Sequence, residues 1–121
     1  MAEPSEIRYD KATKTLFVTF EDGKNFALSA ELLRTQSPSA EVQGHSPAER
    51  KLVSGRRNVG IIHIEPVGHY AVRLVFDDLH DTGLYSWDYL YHLGKDQAEI
   101  WQAYVDELTA AGLTRDPPKR R

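Results

Sequence analysis

The stretch VGIIHIEPVGHYAVRLVFD, residues 59–77, constrains the fold most. A β-branched and apolar run from Val59 to Ile64 reaches a turn at Pro66-Val67-Gly68. Beyond it, Tyr70, Val72, Leu74 and Phe76 alternate with residues such as Arg73 and Asp77. Period-two alternation over this length describes strands with one face buried and the other wet, as in an antiparallel sheet. A chain with this segment at its centre builds its core on sheet.

The N-terminal third repeats the theme. Ile7 and Tyr9 alternate, DKATK turns the chain, and Leu16, Val18 and Phe20 alternate again. EDGK is a second turn, in which Gly23 supplies positive φ without a steric cost. Phe26 and Leu28 form a short third strand. Ser29 then caps a brief helix, with Glu31 favourable in its first turn. The segments VTFEDGKNFALSAELL (18–33) and LVFDDLHDTGLYSWDYL (74–90) match after one extra residue in the second. Phe20 answers Phe76, Asp22 Asp78, Ser29 Ser86, Glu31 Asp88 and Leu33 Leu90. The expectation is a duplicated strand–turn–strand–helix unit in an α+β domain, with small antiparallel sheets and short capped helices.

Between the copies lies a polar middle, residues 35–57. Ser46-Pro47-Ala48-Glu49 has the form of a capping box and predicts a helix from Pro47 to Leu52, ended by Ser54-Gly55. At the C-terminus, Ile100, Trp101, Tyr104, Leu108 and Ala111 share a helical stripe. This predicts a helix packed on one side of the sheets, with Trp101 buried and Gly112 as its cap. Residues 1–113 are expected as one domain, and 114–121, TRDPPKRR, as a disordered basic tail.

Composition excludes several function classes. The 121 residues contain no cysteine, so disulfides, thiolate nucleophiles and cysteine-based zinc sites are out. A net charge of -3 argues against nucleic acid, which is bound through a basic surface. The acidic N-terminus does not read as a signal peptide, and no apolar run is long enough to span a bilayer. A cytoplasmic protein without membrane contact is expected.

The acidic–Asp turn, the Leu32-Leu33-Arg34 exit, and above all RNVGIIHIEPVGHYAVRLVFDDLHDTGLYSWDYLYHLG (57–94) resemble the gamma-butyrobetaine hydroxylase-like N-terminal domain family. The similarity runs over roughly residues 5–110. In hydroxylases of that family the module precedes an oxoglutarate- and iron-dependent catalytic domain. Elsewhere it stands alone or joins iron–sulfur carrier ATPases. The resemblance implies a zinc site of three cysteines, spaced C-x-C-x-x-C after Leu-Arg, and one histidine. Those positions here are Ser37, Ser39, Val42 and His80. Three of four ligands are missing: serine does not replace a thiolate on zinc, and valine cannot ligate. The loop thus resembles a degenerate zinc knuckle, and no cofactor is expected.

Other candidates are local. His63-Ile64-Glu65 places a histidine and a carboxylate on one face of a strand, where a third ligand would make an iron site. His80-Asp81 pairs a possible general base with a carboxylate. SGRRNVG lacks the spacing and the lysine of a phosphate loop. Arg50, Arg56 and Arg57, together with Trp87 in its aromatic neighbourhood, are the candidate partner-binding residues. The functional expectation is a non-enzymatic adaptor for an unknown protein partner, in a context of iron–sulfur or metallo-enzyme maturation by family analogy. The alternatives are a metal-binding protein using His80 with other histidines or carboxylates, and, last, a small-molecule enzyme.

Overall fold

Alternation becomes pairing in both halves of the computed structural model, which describes residues 2–118. Strands β1 (Pro4–Asp10), β2 (Thr15–Phe20) and β3 (Asn25–Ser29) form one antiparallel sheet in that order, followed by helix α1 (Ala30–Thr35). Strands β4 (Ile61–Val67), β5 (Ala71–Phe76) and β6 (Gly83–Ser86) form a second, followed by α3 (Trp87–Lys95). Between them lie α2 (Ala40–Gln43) and a single 3-10 turn (Pro47–Glu49); α4 (Gln97–Ala111) closes the chain.

The two halves agree in detail. Each first strand bulges near its start, between Pro4 and Glu6 and between Ile61 and His63. In the turn after β2, Phe20 N donates to Lys24 O and Gly23 N to Phe20 O. After β5, Phe76 N donates to His80 O and Leu79 N to Phe76 O. The carboxylates of Asp22 and Asp78 accept from the N–H two residues on. Both helices start where expected: the Ser29 hydroxyl accepts from Leu32 N, and that of Ser86 from Tyr89 N. Each cap supplies a partner that a first-turn N–H would otherwise lack.

One core joins the halves. Leu16, Val18 and Phe20 of β2 and Val72, Leu74 and Phe76 of β5 point into it, with Leu33 and Leu90 from the helices. Each such burial contributes roughly 1.5–3 kcal/mol. The halves also brace each other reciprocally. Arg34, at the exit of α1, donates to Asp78 in the second half's turn at 2.8 Å. Tyr91, in α3, donates to Asp22 in the first half's turn at 2.7 Å. At Gly94 a Cβ would run into the Phe26 ring, so the approach of α3 to β3 requires glycine.

Several expectations need correction. Tyr70 is exposed because it sits in the turn before β5, where the pleat does not apply. The helix expected over Pro47–Leu52 is only the 3-10 turn, and the Ser46 side chain does not cap it. Glu49 instead accepts from His45 N. On α4, Tyr104 and Leu108 are buried, but Trp101 is half-buried and Ala111 exposed. Gly112 does cap α4 in the left-handed region (φ 69°), and Leu113 N donates back to Leu108 O. Residues 114 and 115 make contacts with the rest of the domain. Thr114 and Arg115 carbonyls accept from Gly55 N and Arg57 N, and Arg115 grips Glu31 with two bonds of 2.8 and 2.9 Å. Charge-assisted bidentate pairing of this kind holds a segment in place. Residues 119–121 of the expected tail lie outside the described residues.

Candidate functional site

A polar cluster, buried at Ser37 and His80 and exposed at Glu41 and Thr82, joins α2 to the turn between β5 and β6. Ser37 follows α1 and is fully buried. Its Oγ accepts from Ser39 N at 3.2 Å and meets His80 Nε2 at 2.8 Å. Ser39 caps α2, accepting from Glu41 N at 3.2 Å, and its hydroxyl lies 2.6 Å from that of Thr82. Thr82 donates to Glu41 Oε2 at 2.9 Å, and the same oxygen lies 3.2 Å from His80 Nδ1. One proton arrangement satisfies every member. Neutral His80 carries its proton on Nδ1 and donates to Glu41, Ser37 donates to Nε2, and Ser39 donates through Thr82 to Glu41. This tautomer is assigned from the network.

The electrostatics agree. Burial lowers the His80 pKa, and the positive Arg34 lowers it further, against the pull of Glu41 and Asp78. The imidazole is therefore held neutral. Behind it, Asp78 is a hub. Its Oδ2 accepts from Arg34 Nε at 2.8 Å and Arg56 Nε at 2.7 Å, and its Oδ1 accepts from His80 N at 3.1 Å. Burial pushes the Asp78 carboxyl up, but the Arg34 and His80 N–H bonds and the charge of Arg56 outweigh it and hold the pKa below the usual range. Tyr85 lies fully buried beside Ser37 and donates to Leu33 O, and burial pushes its pKa up.

The cluster contains Ser37, Ser39 and His80, while Val42 is buried on the same short helix, α2. The donor set does not fit zinc. Two neutral hydroxyls, an apolar side chain and a histidine with both nitrogens engaged offer no thiolate. Among the described residues, no three His, Asp or Glu side chains gather where a metal could sit.

The remaining candidates are separated. His63 and Glu65 share a face of β4, but both Glu65 oxygens accept from Arg73 Nη2, at 2.8 and 2.9 Å. His69 lies across the turn, its carbonyl taking the Trp87 Nε1–H at 2.7 Å. Asp81 sits 3.4 Å from Arg73, so the carboxylate at His80 is Glu41 and not its sequence neighbour. The arginines form no shared free patch. Arg50 pairs with Glu107, Arg56 with Asp78, and Arg57 with Asp116 at 2.5 Å. Arg56 in particular belongs to the Asp78 hub, so reversing its charge would set two carboxylates against each other rather than leave the fold intact. Glu41, Thr82 and Asp78 were missed as members of the site. The only sequence signal was the match of Asp78 to Asp22 in the repeat.

Fold and cluster together define a small duplicated α+β domain with a part-buried polar cluster joining α2 to the β5–β6 turn. The sequence model of the family described as gamma-butyrobetaine hydroxylase-like, N-terminal, matches residues 7–91, and the chain belongs to that family. Among solved structures, a solution NMR structure is 47% identical over 99% of this chain and 94% of its own, with a TM-score of 0.85. A second NMR structure is 45% identical over 100% and 90%, with a TM-score of 0.83. A crystal structure of a protein of unknown function from Acidithiobacillus ferrooxidans, in the DUF971 family, is 36% identical over 76% and 92%, with a TM-score of 0.65. No curated protein matches. No helix among the described residues is long and apolar enough to cross a membrane.

Proposed function

We propose that this chain is a non-catalytic interaction module, in which the polar cluster holds the segment from Ser37 to Gln43 as part of a rigid surface. The observation that carries this reading is the state of Ser37. Serine, histidine and carboxylate are linked in the order of a hydrolytic triad, which activates a hydroxyl exposed to substrate. Here the hydroxyl is 0% exposed and committed to two hydrogen bonds inside the protein. A nucleophile without access serves structure. Partner contact then falls to the outer surface, where Arg50, Arg57 and Trp87 remain part-exposed. By analogy with family members joined to iron–sulfur carrier ATPases, the partner would belong to iron–sulfur or metallo-enzyme maturation.

Two experiments test this. A fluorophosphonate probe should leave Ser37 unlabelled in the native protein; stoichiometric labelling at Ser37 would establish a working nucleophile and end the reading. Affinity capture from native lysate should return a specific partner, with less recovered by Arg50→Glu/Arg57→Glu. Equal recovery would remove the arginines from the contact.

A further inference from the structure

The turn between β5 and β6 places two costs on one residue. Leu79 has a φ of 74°, in the left-handed region that disfavours a bulky side chain, and it is 81% exposed. Its counterpart in the first half is Gly23, with a φ of 89° and the same turn hydrogen bond. The turn therefore needs a left-handed residue, and glycine serves in the first copy. A large apolar side chain in the second copy does nothing for this chain's own core.

A second apolar feature adjoins it. A groove of 310 Å3 is lined by Tyr9, Lys11, Ile61, Ile62, His63 and Ile64. Ile62 is 52% exposed, and β4 is an edge strand. Asp77 N donates to Gly60 O, so the Leu79 turn and the groove share one end of the β4–β5 ladder. Their charges are opposite. Exposed Asp77 lies two residues before Leu79, and exposed Lys11 lines the groove. Among the described residues, neither Asp77 nor Lys11 takes part in an ion pair.

We propose that this end of the molecule is a self-association face, in which two copies dock about a two-fold axis with Leu79 of each in the β4 groove of the other and Asp77 against the second copy's Lys11. A two-fold interface makes each contact twice, so a patch carrying both the plug and the socket is self-complementary. The opposite charges set the register and disfavour other docking modes. This goes beyond the interaction-module reading, which requires no self-association and has its own tests.

The experiment is sedimentation equilibrium of the full chain over a concentration series, with thermal melts of each variant. Wild type should show a reversible monomer–dimer equilibrium. Leu79→Gly should weaken dimerisation at least about tenfold, while its Tm stays equal to or rises above wild type because glycine suits the backbone there. Asp77→Lys should weaken the dimer, and Asp77→Lys/Lys11→Asp should recover it. A chain that is monomeric throughout, or a dimer indifferent to Leu79→Gly, overturns the proposal. So does a Tm lowered by Leu79→Gly, since Leu79 would then serve its own fold.

Discussion

Replacing Asp78 with alanine should be among the most destabilising single changes outside the apolar core. The carboxylate accepts from Arg34, Arg56 and the His80 N–H, and so ties α1, the polar middle and the β5–β6 turn together. Removing it strands Arg34, whose side chain is 10% exposed and whose Nη1 lacks a hydrogen-bond partner among the described residues. Breaking a buried ion pair from one side costs about 3–5 kcal/mol, because a buried charge is left uncompensated. Asp78 and Arg56 keep some solvent contact, with side chains 21% and 33% exposed, which places the loss near the lower end, about 3 kcal/mol. With a urea m-value of about 1.5 kcal/mol per molar, the midpoint should fall by about 2 M. The assay is urea unfolding followed by tryptophan fluorescence, with Asp22→Ala as the internal control. Asp22 is the equivalent residue, but it is exposed and accepts from Tyr91 and Lys24 rather than from a buried arginine. Its loss should be far smaller. A loss below about 1 kcal/mol for Asp78→Ala, or equal losses for both, would refute the claim that the hub is a buried ionic tie.

Ser37→Ala should cost about 1–3 kcal/mol in the same assay, since it leaves His80 Nε2 buried without a donor. Because His80 is held below its ordinary pKa, the unfolded chain binds its proton more readily. Its contribution to stability is therefore complete above about pH 6.5 and is lost as pH falls from there through the folded-state pKa; His80→Gln should flatten that part of a stability–pH profile. Trp101→Ala should cost less than the roughly 3–5 kcal/mol typical of a fully buried aromatic, because its ring is half-buried between Tyr104 and the Arg115 guanidinium. A thermal melt showing the full core penalty would place Trp101 deeper than the structure does.

What could be read from the sequence was local. Strand alternation, Ser29 and Ser86 as caps, Gly112 as a terminator and the duplication all follow from residues a few positions apart, and each appears in the structure. The contacts that make the site join residues far apart along the chain. Nothing in the spacing of Glu41 and His80, or of Arg34, Arg56 and Asp78, reveals which loops meet. Sequence proximity misled at His80-Asp81, where a turn sends the two side chains to different partners. Nor does sequence proximity show that Arg50, Arg56 and Arg57 pair with three separate carboxylates. Within the basic tail, the bidentate contact of Arg115 is visible only once Glu31 is placed opposite it.

Hydrogen bonds to Ser37 and Glu41 engage both ring nitrogens of a neutral His80. The most direct measurement is the 15N spectrum of the His80 imidazole at neutral pH, recorded on untagged protein with chelator and again with added zinc. The hydrogen-bond network predicts a neutral ring protonated at Nδ1, with shifts and melting temperature the same in both conditions. A ring protonated at Nε2, or zinc-dependent shifts accompanied by a higher melting temperature, would contradict it.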